Sequence, residues 1–144
     1  MSYNNYKKST LKAVINSDKE LDVNALIPFD TFTKTGCSIS QENDSSIRIK
    51  KPGLYLVSFN GIAVESETAG NLIVQLQNNG EDIIGAIAEN TSESATSMRN
   101  LSFTTVIEVL NSCNCIDNSA LLTVINEGVS AIFSNANLTI IKLC

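Results

Sequence analysis

The chain has 144 residues, of which 43% are hydrophobic and only 17% charged, and its formal net charge at pH 7 is −5. One domain fits this length, and an acidic chain with a single small lysine cluster is poorly suited to binding nucleic acid through phosphate contacts. Histidine is absent, which removes Ser–His and Cys–His nucleophile pairs and the commonest metal ligand. We therefore expect a protein that is not an enzyme.

Taken in order, the chain begins with a polar tail, residues 1–10, followed by one domain over residues 11–144. The tail does not resemble a secretory signal, and the apolar runs are too short to cross a membrane. Residues 16–24 form a polar, acidic loop. Apolar or alternating segments separated by turn residues predict strands at residues 11–15, 31–35, 37–40, 47–49, 54–64, 71–77, 83–88, 101–109, 121–125 and 137–143.

About ten short strands with no helical window favour a β-sandwich or barrel. The Asn79-Gly80 pair predicts a tight hairpin, because both residues tolerate a positive φ. Residues 25–29 and 129–133 are short apolar pieces that fit a strand or a loop.

The segment after Pro52-Gly53 has an unusual pattern. The preceding strand alternates, but residues 54–57, with the sequence Leu-Tyr-Leu-Val, are all apolar. A strand that is apolar on both faces is covered on both faces. One face can pack against a second sheet of the same domain, and the other needs a further cover.

Several motifs occur together in an order that resembles the C1q/TNF-like jelly-roll family. The resemblance is nearest to its bacterial BclA C-terminal-like domains and to phage fibre or head-fibre tip domains. The motifs that carry it are Ile27-Pro28-Phe29-Asp30-Thr31, Ile39-Ser40-Gln41, Ile47-x-Ile49-x-x-x-Gly53-Leu54-Tyr55, residues 72–80, and the closing residues 137–143. A collagen-like stem is missing, and Cys-x-Cys at residues 113–115 replaces a Gly-Asp turn.

The resemblance implies an all-β, two-sheet antiparallel jelly-roll sandwich in a single domain that assembles as a homotrimer. It places four side chains in the core between the sheets: Tyr55, Val57, Phe59 and Phe103. It places four others at the interface between subunits: Leu54, Leu56, Leu138 and Ile140. The alternative is that Leu54 and Leu56 lie beneath a long loop of the same chain.

Four cysteines are present: Cys37, Cys113, Cys115 and Cys144. Because the sequence lacks an export signal and a domain of this size does not need disulfides, partly buried thiols are the first interpretation. Covalent cross-links within the trimer or to neighbouring molecules are the second. A metal site shared among subunits is the third, although the usual zinc spacing is missing.

Acidic residues cluster in two predicted loops, at positions 18–22 and 42–44. Alternating carboxylates could supply some calcium ligands, and relatives in the family sometimes hold an ion near the threefold axis. Neither loop has an EF-hand pattern, so we expect solvated charge with no metal and no cofactor.

The resulting hypothesis is a non-enzymatic homotrimeric structural or adhesion module on the surface of a spore or virion. Its partners would be its own copies and a host receptor or glycan, with no nucleic acid and no membrane insertion; residues 16–24 and 89–97 would make the contacts. The alternative is a lectin-like jelly roll, which would need exposed aromatic side chains, and only Tyr3, Tyr6 and Phe32 are candidates. A cupin-like enzyme would need histidine ligands.

Overall fold

A computed structural model describes residues 8–67, 69–91, 97–110 and 119–144. Within these ranges the chain forms eleven β-strands and no helix. The strands are β1 Thr10–Val14, β2 Lys19–Leu21, β3 Thr31–Thr35, β4 Ile39–Gln41, β5 Ser46–Ile49, β6 Gly53–Glu65, β7 Asn71–Asn78, β8 Glu81–Thr91, β9 Arg99–Val109, β10 Ala120–Asn126 and β11 Ala131–Lys142.

The strands form two antiparallel sheets that pack face to face. Sheet A has the order β3-β1-β11-β6-β9, with β2 also pairing with β11, and sheet B has the order β4-β5-β10-β7-β8. Both sheets place strands side by side that are distant in sequence, which is the connectivity of a jelly roll. The predicted all-β, two-sheet antiparallel sandwich is confirmed.

The core lies between the sheets and is filled by alternate residues of the long strands. Tyr55, Val57 and Phe59 on β6 are fully buried, and Phe103 on β9 is 6% exposed. The rings of Phe59 and Phe103 stack with their centroids 5.6 Å apart. Sheet B contributes its own fully buried residues, such as Leu72, Val74, Leu76, Leu122 and Val124.

Strand β11 differs from its sequence-based prediction. The sequence suggested a short piece at residues 129–133 and a separate strand at 137–143, but one strand runs through both. Its pairing with β6 shifts register between Ser134 and Asn137, and Asn135 in between has a φ of 49°. Because asparagine tolerates the left-handed region, the strand bulges here instead of ending.

The segment predicted as a polar loop, residues 16–24, contains the short strand β2. The sequence analysis missed this strand because Lys19 and Glu20 are charged and only Leu21 is buried. Its partners are residues 131–133 at the start of β11. Conversely, the apolar piece at residues 25–29 forms only one isolated bridge, from Leu26 to Ile125.

Candidate functional site: the outer face of sheet A

The outer face of sheet A, the face turned away from sheet B, carries a row of apolar side chains. In antiparallel strands, residues that pair directly share a face. Leu56 of β6 pairs with Val106 of β9 on one side and with Ile141 of β11 on the other. Val106 is 53% exposed, and Leu56 and Ile141 are half-buried. We call these three residues the apolar row.

Polar side chains fill the next positions of the same face. Ser58 pairs with Thr104 and Thr139, and Asn60 pairs with Ser102 and Asn137. The hydroxyl oxygens of Ser58 and Thr104 lie 3.3 Å apart, at hydrogen-bond distance. Beyond these polar positions the face becomes apolar again, at Ile62, Val64 and Ile132.

A depression of about 340 Å³ opens on this face beside the bulge of β11. Four of its lining side chains carry amides or a hydroxyl: Asn60, Asn100, Ser102 and Asn135. The left-handed backbone of Asn135 shapes one wall. The depression can therefore offer several hydrogen-bond donors and acceptors to a polar ligand or to a neighbouring subunit.

Leu54 and Leu56 have the orientation that an interface role requires. Leu54 pairs with Glu108 and Leu56 with Val106, both of which point outward. The two leucines are half-buried, so the described part of the chain does not cover them completely. Leu54 also lies beside the C-terminus, because its N–H donates to the carbonyl oxygen of Cys144 at 3.1 Å.

The assignment of Leu138 and Ile140 to an intersubunit interface is wrong. Leu138 pairs with Phe59 and Ile140 pairs with Val57, so both point inward with those core residues. Their exposures are 1% and 0%, which leaves no surface for a second chain to contact. The outward residues of this part of β11 are Asn137, Thr139 and Ile141, since facing alternates along a strand.

Two of the four cysteines lie in the described residues. Cys37 and Cys144 are free and exposed, so the interpretation as partly buried thiols is wrong for both. The Nζ atom of Lys51 lies 3.2 Å from the Sγ atom of Cys37. Cys113 and Cys115 lie outside the described residues.

The acidic side chains of the first predicted loop are tied to neighbouring strands. The hydroxyl of Ser134 donates to Asp18 at 2.6 Å, and that of Ser130 donates to Asp22 at 3.4 Å. In the second loop Glu42 accepts from Arg48 at 3.0 Å. Across the described ranges, His, Cys, Asp and Glu side chains form no group of three or more that could hold a metal ion.

Asp30 holds several elements together, and the sequence analysis did not single it out. Its carboxylate accepts from Lys19 Nζ at 2.7 Å and from the backbone N–H of Asn16 at 2.7 Å. These contacts, the lysine hydrogen bond first, lower the pKa of Asp30 below its usual value. The Ile27-Pro28-Phe29-Asp30-Thr31 motif includes this position, but it was noted for a family resemblance and not for an ionic contact.

Of the three aromatic residues considered for a sugar-binding surface, the structure describes only Phe32. Phe32 is half-buried and packs edge-on against Phe29, with ring centroids 6.2 Å apart. Tyr3 and Tyr6 lie outside the described residues. A flat, exposed aromatic platform is therefore not formed by Phe32.

A search of the described residues for a helix long and apolar enough to span a bilayer finds none.

Comparison with known proteins gives matches in structure alone. No family model matches the chain, and no curated protein does. The globular domain of zebrafish complement 1qA protein superimposes with a TM-score of 0.69 at 11% identity, covering 95% of this chain and 98% of the other. Murine APRIL at pH 8.5 gives 0.68 at 14% identity, covering 95% and 100%.

The vertex protein P5 of PRD1 is a third similar structure. Its TM-score is 0.60 at 18% identity, and the match covers 94% of this chain and 97% of that one. At these identities the likeness concerns the fold. The chain therefore has a C1q/TNF-like jelly-roll fold, and the match extends over nearly its whole length.

Proposed function

We propose that the protein is a non-enzymatic structural module that assembles as a homotrimer through the outer face of sheet A. The observation that carries the proposal is the apolar row, Leu56, Val106 and Ile141, on a face that the described chain covers only in part. Burying one such side chain completely contributes about 1.5–3 kcal/mol. Burial of the exposed parts of this row in three subunits would act against the entropy cost of association.

The polar positions of the face fit this arrangement. A chain whose surface relies on Asn, Ser and Thr can pair Ser58, Asn60 and Asn137 with the same residues of another subunit. Buried polar groups must be paired, so such contacts would fix the register of the subunits. In a closed ring of three subunits, each copy of this face contacts a neighbouring subunit, and no copy is left exposed.

A location on a particle or cell surface, of the spore-coat or virion kind, accords with these features. The fold is shared with the vertex protein of PRD1, and the low charge content of 17% suits a surface built from uncharged polar residues. The expected role is therefore in the tip or outer layer of such an assembly, with adhesion to a receptor as its activity.

The proposal is tested by placing a charge in the apolar row. Leu56→Asp should abolish trimers, because three buried carboxylates would meet without cationic partners. Ile84→Asp is the matched control, since Ile84 is 98% exposed but lies on β8 at the edge of sheet B. Sedimentation velocity should show monomers for Leu56→Asp and wild-type behaviour for Ile84→Asp. A trimer that survives Leu56→Asp unchanged would refute the assigned interface.

Glycan binding at the amide-lined depression is a second candidate. The side chains of Asn60, Asn100 and Asn135 could hydrogen-bond to sugar hydroxyls. It ranks second because Phe32 is half-buried and packs edge-on against Phe29, so it is poorly placed to stack on a sugar ring. A glycan array that stays blank for both wild type and Leu56→Asp, in which the face would be free, would eliminate it.

A further inference from the structure

A second surface feature lies at one end of the sandwich and is not part of the proposed interface. It is a depression of about 280 Å³, which we call the lysine cavity. Its lining residues are Lys8, Ser9, Gly36, Cys37, Ser38, Lys51 and Lys142. The lining combines a nucleophilic thiol with three ammonium groups and contains no acidic side chain.

The walls of the lysine cavity are held by hydrogen bonds from the body of the fold. The buried hydroxyl of Tyr55 donates to the carbonyl of Lys51 at 2.6 Å. The backbone N–H of Lys142 donates to the carbonyl of Ser9 at 2.9 Å. Ser9 in turn accepts, through its Oγ atom, from the N–H of Ser38 at 3.0 Å, and these two serines are 6% and 4% exposed.

The turn before Cys37 sets the position of the thiol. Gly36 has a φ of 75°, and a Cβ atom there would lie 2.4 Å from the Oγ atom of Ser9. Only glycine allows this close approach without strain. The following residue, Cys37, is therefore presented at the rim, exposed to solvent and 3.2 Å from Lys51 Nζ.

The electrostatics of the lysine cavity favour anions. The hydrogen bond from Lys51, followed by the charges of Lys51, Lys50 and Lys142, lowers the pKa of the Cys37 thiol below its ordinary range. More of the thiol is then ionised near neutral pH, and the thiolate is the nucleophile. Clustered positive charge also concentrates anionic molecules, even on a chain whose net charge is −5.

We propose that Cys37 is a thiol–disulfide exchange site selective for small disulfides that carry carboxylates. The Cys37 thiolate attacks one sulfur of the anionic disulfide, a bond forms between Sγ and that sulfur, and the original S–S bond breaks. The second sulfur leaves as a thiolate and takes a proton from solvent. The chain keeps a mixed disulfide, and no further oxidant is needed because the incoming disulfide is the oxidant.

The same charges disfavour a different outcome, a disulfide between Cys37 residues of two copies. Such a bond would bring the Lys8, Lys51 and Lys142 ammonium groups of both copies together, where like charges repel. Symmetric Cys37 pairs are therefore expected to form more slowly than mixed disulfides with an anionic reagent. This inference does not depend on the trimer, since the lysine cavity belongs to one chain.

The test compares two disulfides of opposite charge on the reduced wild-type chain. Oxidised glutathione is the anionic reagent and cystamine the cationic one, and quenched samples are mapped by peptide mass spectrometry to give initial rates of mixed-disulfide formation. The rate at Cys37 is divided by the rate of the same reagent with N-acetylcysteinamide, an uncharged free thiol, so that intrinsic reagent reactivity cancels. We expect this ratio to be about tenfold higher for oxidised glutathione than for cystamine at low salt.

Variants separate the lysine effect from simple exposure. Lys51→Gln should reduce the preference for the anionic reagent and move the pH midpoint of the Cys37 rate upward, whereas Lys51→Arg should keep most of the preference. Lys34→Gln, which removes an exposed lysine of β3 outside the lysine cavity, should behave as wild type. High salt should also weaken the preference. Equal ratios for the two reagents, or a preference unchanged in Lys51→Gln, would overturn the proposal.

Discussion

A single buried amide organises the edge of sheet B. Gln75 on β7 is 5% exposed, and its Nε2 atom donates to the carbonyls of Leu76, Ile83 and Ala86 at 2.8, 2.9 and 3.2 Å. The last two belong to β8 where its pairing with β7 is irregular. The amide thus satisfies carbonyls that the ladder leaves without partners.

Replacing this amide should destabilise the fold measurably. We expect Gln75→Leu to lower the free energy of unfolding by about 1–3 kcal/mol, because buried carbonyls lose their donor. Gln77→Leu is the control, since Gln77 donates to the exposed Asp82 and its loss should cost about 0.5 kcal/mol or less. Urea denaturation measures both, and equal effects would contradict the structural role of Gln75.

Asp30 gives a pH-dependent prediction at the same scale. Its pKa in the folded chain is lowered by Lys19 and by the N–H groups of Asn16 and Ser17. Its contribution to stability is therefore present above the unfolded pKa, which is about 3.9, and is lost as the pH falls through the folded pKa. Asp30→Asn should destabilise the protein at pH 7 and have progressively less effect as the pH falls through the lowered pKa of folded Asp30, because the wild-type carboxyl then becomes neutral as well.

Thermal unfolding of wild type and Asp30→Asn across this pH range checks the prediction. An equal loss of stability at every pH in this range would show that the carboxylate charge has no part in it. Asp44→Asn serves as a control for the loss of one negative charge, because Asp44 is exposed and its carboxylate accepts a hydrogen bond from the hydroxyl of the adjacent Ser45.

At the scale of strands, two glycines with positive φ show what the ends of elements require. Gly53 begins β6 with a φ of 147°, and a Cβ atom there would lie 2.4 Å from the carbonyl oxygen of Cys144. Gly80 closes the β7–β8 hairpin with a φ of 83°, and its added Cβ would have open space. The first position therefore combines steric conflict with backbone strain, and the second has strain alone.

Alanine substitutions should separate these two costs. We expect Gly80→Ala to lower stability by about 1 kcal/mol, the cost of a left-handed conformation. Gly53→Ala should lower it by more than about 2 kcal/mol, since the end of β11 must also move. Chemical denaturation of both variants measures the difference in the free energy of unfolding. If Gly53→Ala lowers it no more than Gly80→Ala does, the residues around Cys144 can move aside without a cost in stability.

How much of the fold the sequence predicts depends on how far apart the interacting residues lie. The apolar run of β6, the alternation along β7 and β9 and the Asn79-Gly80 turn are local patterns, so these elements and an all-β sandwich or barrel were predictable. The two-sheet jelly roll followed from the family resemblance. The end of β11 also has a local pattern, because Asn137 and Thr139 alternate with Leu138 and Ile140, and the pairing with β6 places the two apolar residues on the core face. Their assignment to an interface departed from that pattern. The sequence did not indicate that a bulge at Asn135 joins residues 131–133 to this strand.

Side-chain pairings between distant strands were also beyond sequence analysis. Glu65 and Arg99 form a buried ion pair between β6 and β9, although nothing in the local sequence marks either residue. The lysine cavity has the same origin, because Cys37, Lys51 and Lys142 belong to separate segments that meet only in the folded chain. For the candidate interface, the sequence analysis identified Leu54 and Leu56 but did not identify Val106 or Ile141.

At the scale of the whole molecule, the inner and outer faces of sheet A differ in how completely their apolar side chains are buried. The inner faces of both sheets are filled, while the outer face of sheet A keeps an apolar row beside amide and hydroxyl groups. A monomer would leave this mixed face in water. Association of three copies would bury the row and pair the polar groups, which is why we propose that the function belongs to the assembly.

The molar mass of the wild-type chain in solution tests this account most directly. Size-exclusion chromatography with multi-angle light scattering at micromolar concentration should give three times the 15.5 kDa mass of one chain, with and without a reducing agent. A single species at the mass of one chain under both conditions would contradict the proposed interface and, with it, the structural role assigned to this protein.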